Sequence, residues 1–342
     1  MVRKTLPPQH TMLVSPSDEA LLFRLLRKEG LLEPSQWKRY FAHHSRSFSF
    51  AAMLFPREQR MQIAAVYAYS RFTDDLVDGH EELTVEERRR LLALWQSMSR
   101  HAYKGGRTGI FLLDKVMGEM AQAGASFSHA NELIEGVRMD LETLRYPDMR
   151  TLCLYAYRVA STIGLWLTEL FGTQDRWMLA RAAALGEAMQ LTNILRDVGE
   201  DLGRNRIYLP QDRMDAHGVS EDLLFAIQAG APVPDNYKAL IEELLCDAEQ
   251  RYEEAFVAIP GLPAFFQKPV VVAAYVYRGI HESIRQNDYD NFRFRARTNF
   301  WQKLGLAWRA LSALREEQKS FGLSQRPERQ TQSVFEQVGI PS

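Results

Sequence analysis

Two short acidic segments lie far apart in the chain: Asp74-Asp75-Leu76-Val77-Asp78 and Asn193-Ile194-Leu195-Arg196-Asp197-Val198-Gly199-Glu200-Asp201. On an α-helix four residues return almost to the same face. Asp74 and Asp78 therefore project together, and Asn193, Asp197 and Asp201 form a second stripe of oxygen ligands. Like charges at that spacing destabilise a helix by roughly 0.2–0.5 kcal/mol per pair, so two such stripes in otherwise good helices suggest a cation between them. Hard oxygens without His or Cys suit Mg²⁺, with Mn²⁺ as an alternative. Mg²⁺ usually takes one or two carboxylates and completes its shell with water and substrate phosphate, so the expected ligand is phosphorylated.

The neighbours of these acids extend the pattern. Tyr67 and Arg71 share the stripe of Asp74 and Asp78, and Ala64 continues it away from the acids. In the second segment Gln190 precedes Asn193, and Arg196 sits one position off the stripe, within reach of a phosphate. Gly203 then breaks the helix, and the basic run Arg204-Asn205-Arg206-Ile207-Tyr208-Leu209-Pro210 reads either as a lid that shields reactive intermediates or as a plain solvated turn. Earlier, Ser45, Arg46, Ser47 and Phe48 place hydroxyls and a guanidinium just before Ala51 and Ala52; they suit a diphosphate and equally suit helix capping. His43 and His44 lack the spaced partners of a zinc site. Tyr155 and Tyr157 fit core packing as well as cation–π stabilisation of a carbocation, and Tyr277 and Arg295 are open in the same way.

Composition narrows the choices. The 342 residues carry 42 basic and 43 acidic side chains, a net charge of -1, which argues against a nucleic-acid partner and means that an anionic substrate is handled locally. Cys153 and Cys246 are too few for a disulfide framework and suit a reducing cytoplasm. No stretch approaches the ~18 consecutive apolar residues of a membrane span, and residues 1–12 lack the apolar core of a signal peptide. A soluble or peripherally attached cytoplasmic protein is expected.

Helices must position these groups. A run from Pro56 to Asp78 is stopped by Gly79, Thr84-Val85-Glu86-Glu87 is a capping box for a helix to about His101, and Ser128 caps one reaching about Leu144. Further helical runs cover about 149–171, 174–202, 219–229, 235–258, 267–288 and 299–317. Strand-like alternation is scarce, so the expected fold class is all-α, with one helical domain over 17–318 between flexible segments 1–16 and 319–342. The stretch Ser17–Glu29 is an amphipathic helix that either packs on the domain or touches a membrane surface.

The segments Tyr67–Gly79 and Leu191–Asp201, followed by Arg206-Ile207-Tyr208-Leu209-Pro210, resemble the signatures of the squalene and phytoene synthase family. Ser45-Arg46-Ser47-Phe48, Glu135–Asp140, Val159–Gly164 and Asn287-Asp288-Tyr289-Asp290 add to the resemblance, which covers about residues 38–310 and is nearest to the phytoene synthases in its second motif. It implies an isoprenoid synthase fold, a bundle around a central hydrophobic cavity with the acidic motifs facing each other across its mouth. It also implies Mg²⁺-dependent head-to-head condensation of two geranylgeranyl diphosphates through a cyclopropyl diphosphate to phytoene, without NADPH. Asp74, Asp78, Asn193, Asp197 and Asp201 would hold metal. Ser45, Arg46, Arg71, Gln190, Arg196, Tyr208 and Tyr277 would grip diphosphate, together with Arg293 or Arg295, since the arginine pair of many relatives is displaced here. Ala52 and Ala64, where relatives using C15 chains tend to carry aromatics, would leave room for C20 chains. The alternatives are a squalene or dehydrosqualene synthase acting on farnesyl diphosphate and a non-catalytic helical assembly factor. Downstream carotenoid enzymes are further candidate partners.

Overall fold

Capping residues and prolines set most helix starts in the computed structural model, which describes residues 16–80 and 82–321. Pro16–Lys28 (α1), Pro34–His44 (α2) and Arg46–Ala52 (α3) lead into the long Arg57–Asp78 (α4), then Val85–Tyr103 (α5), Phe111–Gln122 (α6) and Ser128–Met139 (α7). Met149–Ala156 (α8) passes through a π-helical turn at Tyr157–Ser161 into Thr162–Leu170 (α9). Arg176–Arg196 (α10) and Val198–Gly203 (α11) carry the second acidic segment; Gln211–Ala216 (α12), Glu221–Gln228 (α13), Asp235–Phe256 (α14), Ala264–Gln286 (α15) and Phe300–Phe321 (α16) complete the order. No strand occurs among the described residues; an isolated parallel bridge joins Arg145 to Ile207. The expected flexible ends fall outside the described residues, except that Pro16 opens α1 and residues 319–321 finish α16.

The capping box at Thr84 and Glu87 is present in both directions. Three expectations differ. Ser128 is the first helical residue rather than the cap, its N–H donating to Ser126 Oγ at 3.2 Å, and α7 ends at Met139, short of Leu144. The run expected over 149–171 contains the π turn, and the run expected over 174–202 breaks at Asp197. Leu22, Leu25 and Leu26 of α1 are buried in the core, so its apolar stripe is spent on packing.

Two packing arrangements aim the site. On the back of α4, Tyr69 stacks on Trp95 with centroids 5.3 Å apart and meets Trp166 edge-on at 5.5 Å, while Trp95 Nε1 donates to Thr73 Oγ1 at 2.9 Å. Each such aromatic pair adds about 0.5–1.5 kcal/mol beyond its burial and pins the rotation of the helix that bears Asp74 and Asp78. Helix α10 packs against α8, α9, α14 and α15. Its Gly186 admits the π turn, because a Cβ there would stand 2.4 Å from Ser161 Cα. π turns of this kind recur at functional sites, and residues of this one, Val159 and Ala160, face the cavity described next.

Candidate active site

A cavity of about 1390 Å³ runs between α4, α10 and α15, with α3, α9 and the start of α16 completing its wall. It exceeds the ~300–1,000 Å³ typical of a site for one small ligand. One end is ionic and holds both acidic segments; the body is apolar, lined by Phe48, Ile63, Val66, Ile163, Leu167, Leu185 and Phe266 among others. Ser45, Arg46, Phe48, Ala52, Tyr67, Arg71, Asp74, Asp78, Tyr155, Gln190, Asn193, Arg196, Asp197, Asp201, Tyr208, Tyr277 and Arg295 all line it.

Ala64 does not. It is fully buried in the packing of α4 and is absent from the cavity wall, which in this stretch of the helix takes Arg60, Ile63, Val66 and Tyr67. The three- and four-residue steps back from Asp74 drift around a helix of 3.6 residues per turn, and by Ala64 the drift has carried the side chain into the neighbouring interface. Ala64 is thus packed between helices, whereas Ala52 is a wall residue of the cavity.

The first acidic bank is built on an unbroken helix. Arg71 Nη1 reaches Asp74 at 2.9 Å, and Arg71 Nη2 reaches Asp75 at 2.6 Å. Asp75 turns away from the cavity and accepts the Tyr40 hydroxyl at 2.6 Å, so the middle acid holds α2 against α4. Asp78 is gripped by both terminal nitrogens of Arg206, at 2.6 and 2.8 Å, which ties the segment after the second motif to the first. Burial pushes the Asp74 carboxyl up to about 6, with Arg71 opposing and Asp78 and Asp75 adding to the rise.

The second bank is bent. The backbone leaves helical geometry at Asp197, yet Asp197 N–H still meets Asn193 O at 3.0 Å and Asp201 N–H meets Asp197 O at 2.9 Å, so the stripe survives the break. The loop at 290–292 holds the bend. Gly199 lies where a Cβ would be 2.6 Å from Phe292 Cα, and its N–H donates to Asn291 O at 3.3 Å. Buried Asn291 donates to Leu195 O at 2.7 Å and accepts from Tyr237 Oη at 2.6 Å. Burial alone would raise the Asp197 carboxyl, but Arg196 and Arg295, whose Nε atoms each stand 2.8 Å from Oδ1, bring it below its usual range. Asp201 goes the other way, pushed up to about 8 by burial and then by Asp197 and Glu200. The two arginines after the 287–290 segment are placed differently. Arg295 lines the cavity, whereas Arg293 pairs with Asp290 at 2.6 Å away from it.

The oxygen set fits a hard divalent ion. Keeping Asp74 and Asp201 ionised is costly in their buried, acid-rich surroundings, and a cation between the banks would remove that cost. Among the described residues no three His, Cys, Asp or Glu side chains gather closely enough to hold a metal ion by themselves. Asn193 Nδ2 donates to Gln190 Oε1 at 3.3 Å, which leaves the Asn193 amide oxygen available as a ligand.

Sequence reasoning assigned no role to Asp140, a buried acid on the cavity wall. Its Oδ1 accepts from Tyr208 Oη at 2.7 Å and its Oδ2 from Tyr155 Oη at 3.0 Å, and the two tyrosine rings stack with centroids 5.1 Å apart. Burial raises Asp140 to about 7, against the pull of Arg206 and the Tyr208 hydrogen bond. Its signal in the sequence was its place at the end of Glu135–Asp140, a segment that carries the family resemblance without indicating what the acid would meet. The segment read as a lid is pinned at its back: Ile207 N–H donates to Leu144 O at 3.0 Å, Arg145 Nη1 donates to Asn205 O at 2.7 Å, and Ile207, Tyr208 and Leu209 are buried. Ser45 is also the N-cap of α3, accepting Phe48 N–H at 3.4 Å.

A family model for squalene/phytoene synthase matches residues 41–302. The phytoene synthase of Thermus thermophilus is 36% identical over 295 residues, which are 85% of this chain and 97% of that protein. The 15-cis-phytoene synthase of Synechococcus elongatus is 34% identical over 77% of this chain and 87% of its own. Phytoene synthase 1 of Arabidopsis thaliana is 34% identical over 75% of this chain, which spans only 60% of that chloroplastic protein's length. Among solved structures, a dehydrosqualene synthase in complex with ligand superposes with a TM-score of 0.74 at 26% identity, covering 86% of this chain and 99% of that one. The squalene synthase HpnC from Alicyclobacillus acidocaldarius shares the fold with a TM-score of 0.66 at 22% identity over 80% of this chain and 95% of its own. The chain belongs to the squalene/phytoene synthase family, and its fold is the all-α isoprenoid synthase fold.

Proposed function

We propose that this protein is a phytoene synthase, a prenyltransferase of carotenoid biosynthesis that joins two geranylgeranyl diphosphates head to head. The observation that carries the reading is one large cavity with two carboxylate banks at its ionic end and an apolar body behind them. The relatives that match most of the chain's length are phytoene synthases. Length supports C20 chains: from Asp74 back to Arg60 the α4 wall covers about 21 Å at ~1.5 Å per residue, the reach of four isoprene units of roughly 5 Å each, built from C–C bonds of about 1.5 Å.

Asp74, Asp78, Asn193, Asp197 and Asp201 would hold Mg²⁺ or Mn²⁺, which when bound neutralises diphosphate and makes it a better leaving group. Arg46, Arg71, Arg196 and Arg295 supply fixed positive charge at the same end, with Ser45, Gln190 and Tyr277 as polar contacts. Loss of the first diphosphate leaves an allylic cation, which the 2,3-alkene of the second chain attacks; proton loss gives a cyclopropyl diphosphate. A second ionisation, rearrangement and proton loss give a conjugated triene, so no hydride donor is needed. Tyr67, Tyr155 and Tyr208 stay neutral, because burial raises each hydroxyl well above its ordinary range. All three line the cavity as neutral aromatic groups, the kind of lining that tolerates developing positive charge. The apolar wall keeps water from the cation. Substrate and product are lipids, so contact with a membrane surface and with later carotenoid enzymes belongs to this reading, as does a cytoplasmic location.

The structural likeness to a dehydrosqualene synthase favours a second reading, in which farnesyl diphosphate is the substrate. Incubation with geranylgeranyl or farnesyl diphosphate, with and without NADPH, followed by product mass, decides between them. A C40 triene formed without NADPH supports the proposal; a C30 product with geranylgeranyl diphosphate left unused overturns it.

A further inference from the structure

Helix α16 turns its buried side, Ala310 and Leu314 with Leu306, Ala307 and Leu311 against the core, toward α15. The opposite side is greasy as well. Trp301 is 77% exposed, Trp308 71% and Leu304 41%, and their spacing of three and four residues places them on one outward face. Phe300, 59% exposed at the first turn, continues this surface to the cavity rim, where Phe300 and Lys303 are both wall residues. Large exposed aromatic groups on one helix face mark a docking surface rather than scattered surface residues.

The charge around that face selects its occupant. From Asn291 to Arg315 the chain has six basic residues and no acidic one. Arg293 and Arg295 are paired with acids of the body and Lys303 lines the cavity, but Arg297, Arg309 and Arg315 are exposed and meet no acidic side chain among the described residues. A second copy docking through this face across a two-fold axis would set these cations against one another. A surface of anionic lipid headgroups complements them, and tryptophan with Lys and Arg on one helix is the combination that seats at a bilayer interface. We propose that the Trp301–Leu304–Trp308 face of α16 docks on an anionic membrane surface and brings the adjoining cavity rim to the bilayer.

The test uses the full chain without prenyl diphosphate, so its outcome is independent of whether the proposed reaction is correct. Flotation with phosphatidylcholine vesicles containing phosphatidylglycerol is compared with flotation on phosphatidylcholine alone, and tryptophan quenching by brominated lipid reports insertion. The expected result is binding to the anionic vesicles only, weakened by salt. Trp301→Ser with Trp308→Ser lowers the partition at least tenfold, about the loss from removing two buried aromatic anchors. Arg309→Gln lowers it about fivefold, one surface charge's worth. Neither variant alters turnover of detergent-dispersed substrate. Equal flotation of the double tryptophan variant, or equal binding to neutral vesicles, overturns the proposal. So does a dimer in sedimentation that the double variant splits while the wild type ignores vesicles.

Discussion

The two acidic banks look like copies in the sequence, yet they are built in different ways. The first sits on one unbroken helix, its Asp74 paired by Arg71 and its Asp78 by the distant Arg206, and is braced from behind by Tyr69, Trp95 and Trp166. The second lies across a break at Asp197 and keeps its shape because the loop at 290–292, nearly a hundred residues on, fills the bend and because Arg295 comes with it. A bank on a continuous helix takes its backbone shape from its own periodicity, even where a distant arginine such as Arg206 pairs one of its acids. A bank on a bent one depends on distant contacts, and damage to those contacts should disable it while leaving the first intact.

The largest effect should come from the acids themselves. Asp74→Asn or Asp197→Asn is expected to lower kcat by about 10³-fold, the order lost when a group stabilising transition-state charge is removed, with helical circular dichroism unchanged. Near-wild-type turnover in both would end their assignment.

Asn291→Ala separates the banks. It strands the Leu195 carbonyl and the Tyr237 hydroxyl in the interior. A loss of about 1–3 kcal/mol in denaturant unfolding is expected, with hydrogen exchange accelerated in α10 and α11 more than in α4. Uniform acceleration would mean that the banks are not independently supported.

Tests of chain length sharpen the contrast between a wall residue and a packing residue. Ala52→Phe should move the C20/C15 preference toward C15, because Ala52 faces the cavity. Ala64→Phe should leave that ratio unchanged and cost about 1–3 kcal/mol of stability through overpacking. Product analysis with both substrates, alongside thermal melts, reads out each.

The smallest effect concerns pH under the second bank. Thr192, beside Asn193, shares a contact with His281 Nε2 at 2.8 Å, and His281 Nδ1 meets Glu249 at 3.1 Å. His281 and Arg285 hold Glu249 down at about 2. A depressed carboxylate stabilises the fold above its unfolded value near 4.5 and loses that contribution as pH falls toward 2. The stability advantage of wild type over Glu249→Gln should therefore be full at neutral pH and shrink across that window. A gap that stays constant down to pH 3 would contradict it.

Much of the site was readable because its information is local. Helix α4 and the side-by-side placement of Asp74 and Asp78 follow from residue spacing, as does the capping box at Thr84. Helix α6, with Leu112, Leu113, Val116, Met117 and Met120 buried, went unread although its apolar spacing is helical, because the chain there is short and carries no chemical motif. Asp140 had no assigned role, since its meaning lies in Tyr155 and Tyr208, which arrive from other parts of the chain.

The amino-acid order alone determined the helices, the acid stripes and the oxygen-rich chemistry they favour, since those properties arise from neighbours within a turn or two. Only the tertiary structure decided that Asp75 faces Tyr40 instead of the cavity, that Arg295 and not Arg293 reaches Asp197, and that Ala64 packs while Ala52 lines the wall. Those choices turn on a few tens of degrees of helix rotation, and such rotations are set by which distant side chains fill the space behind.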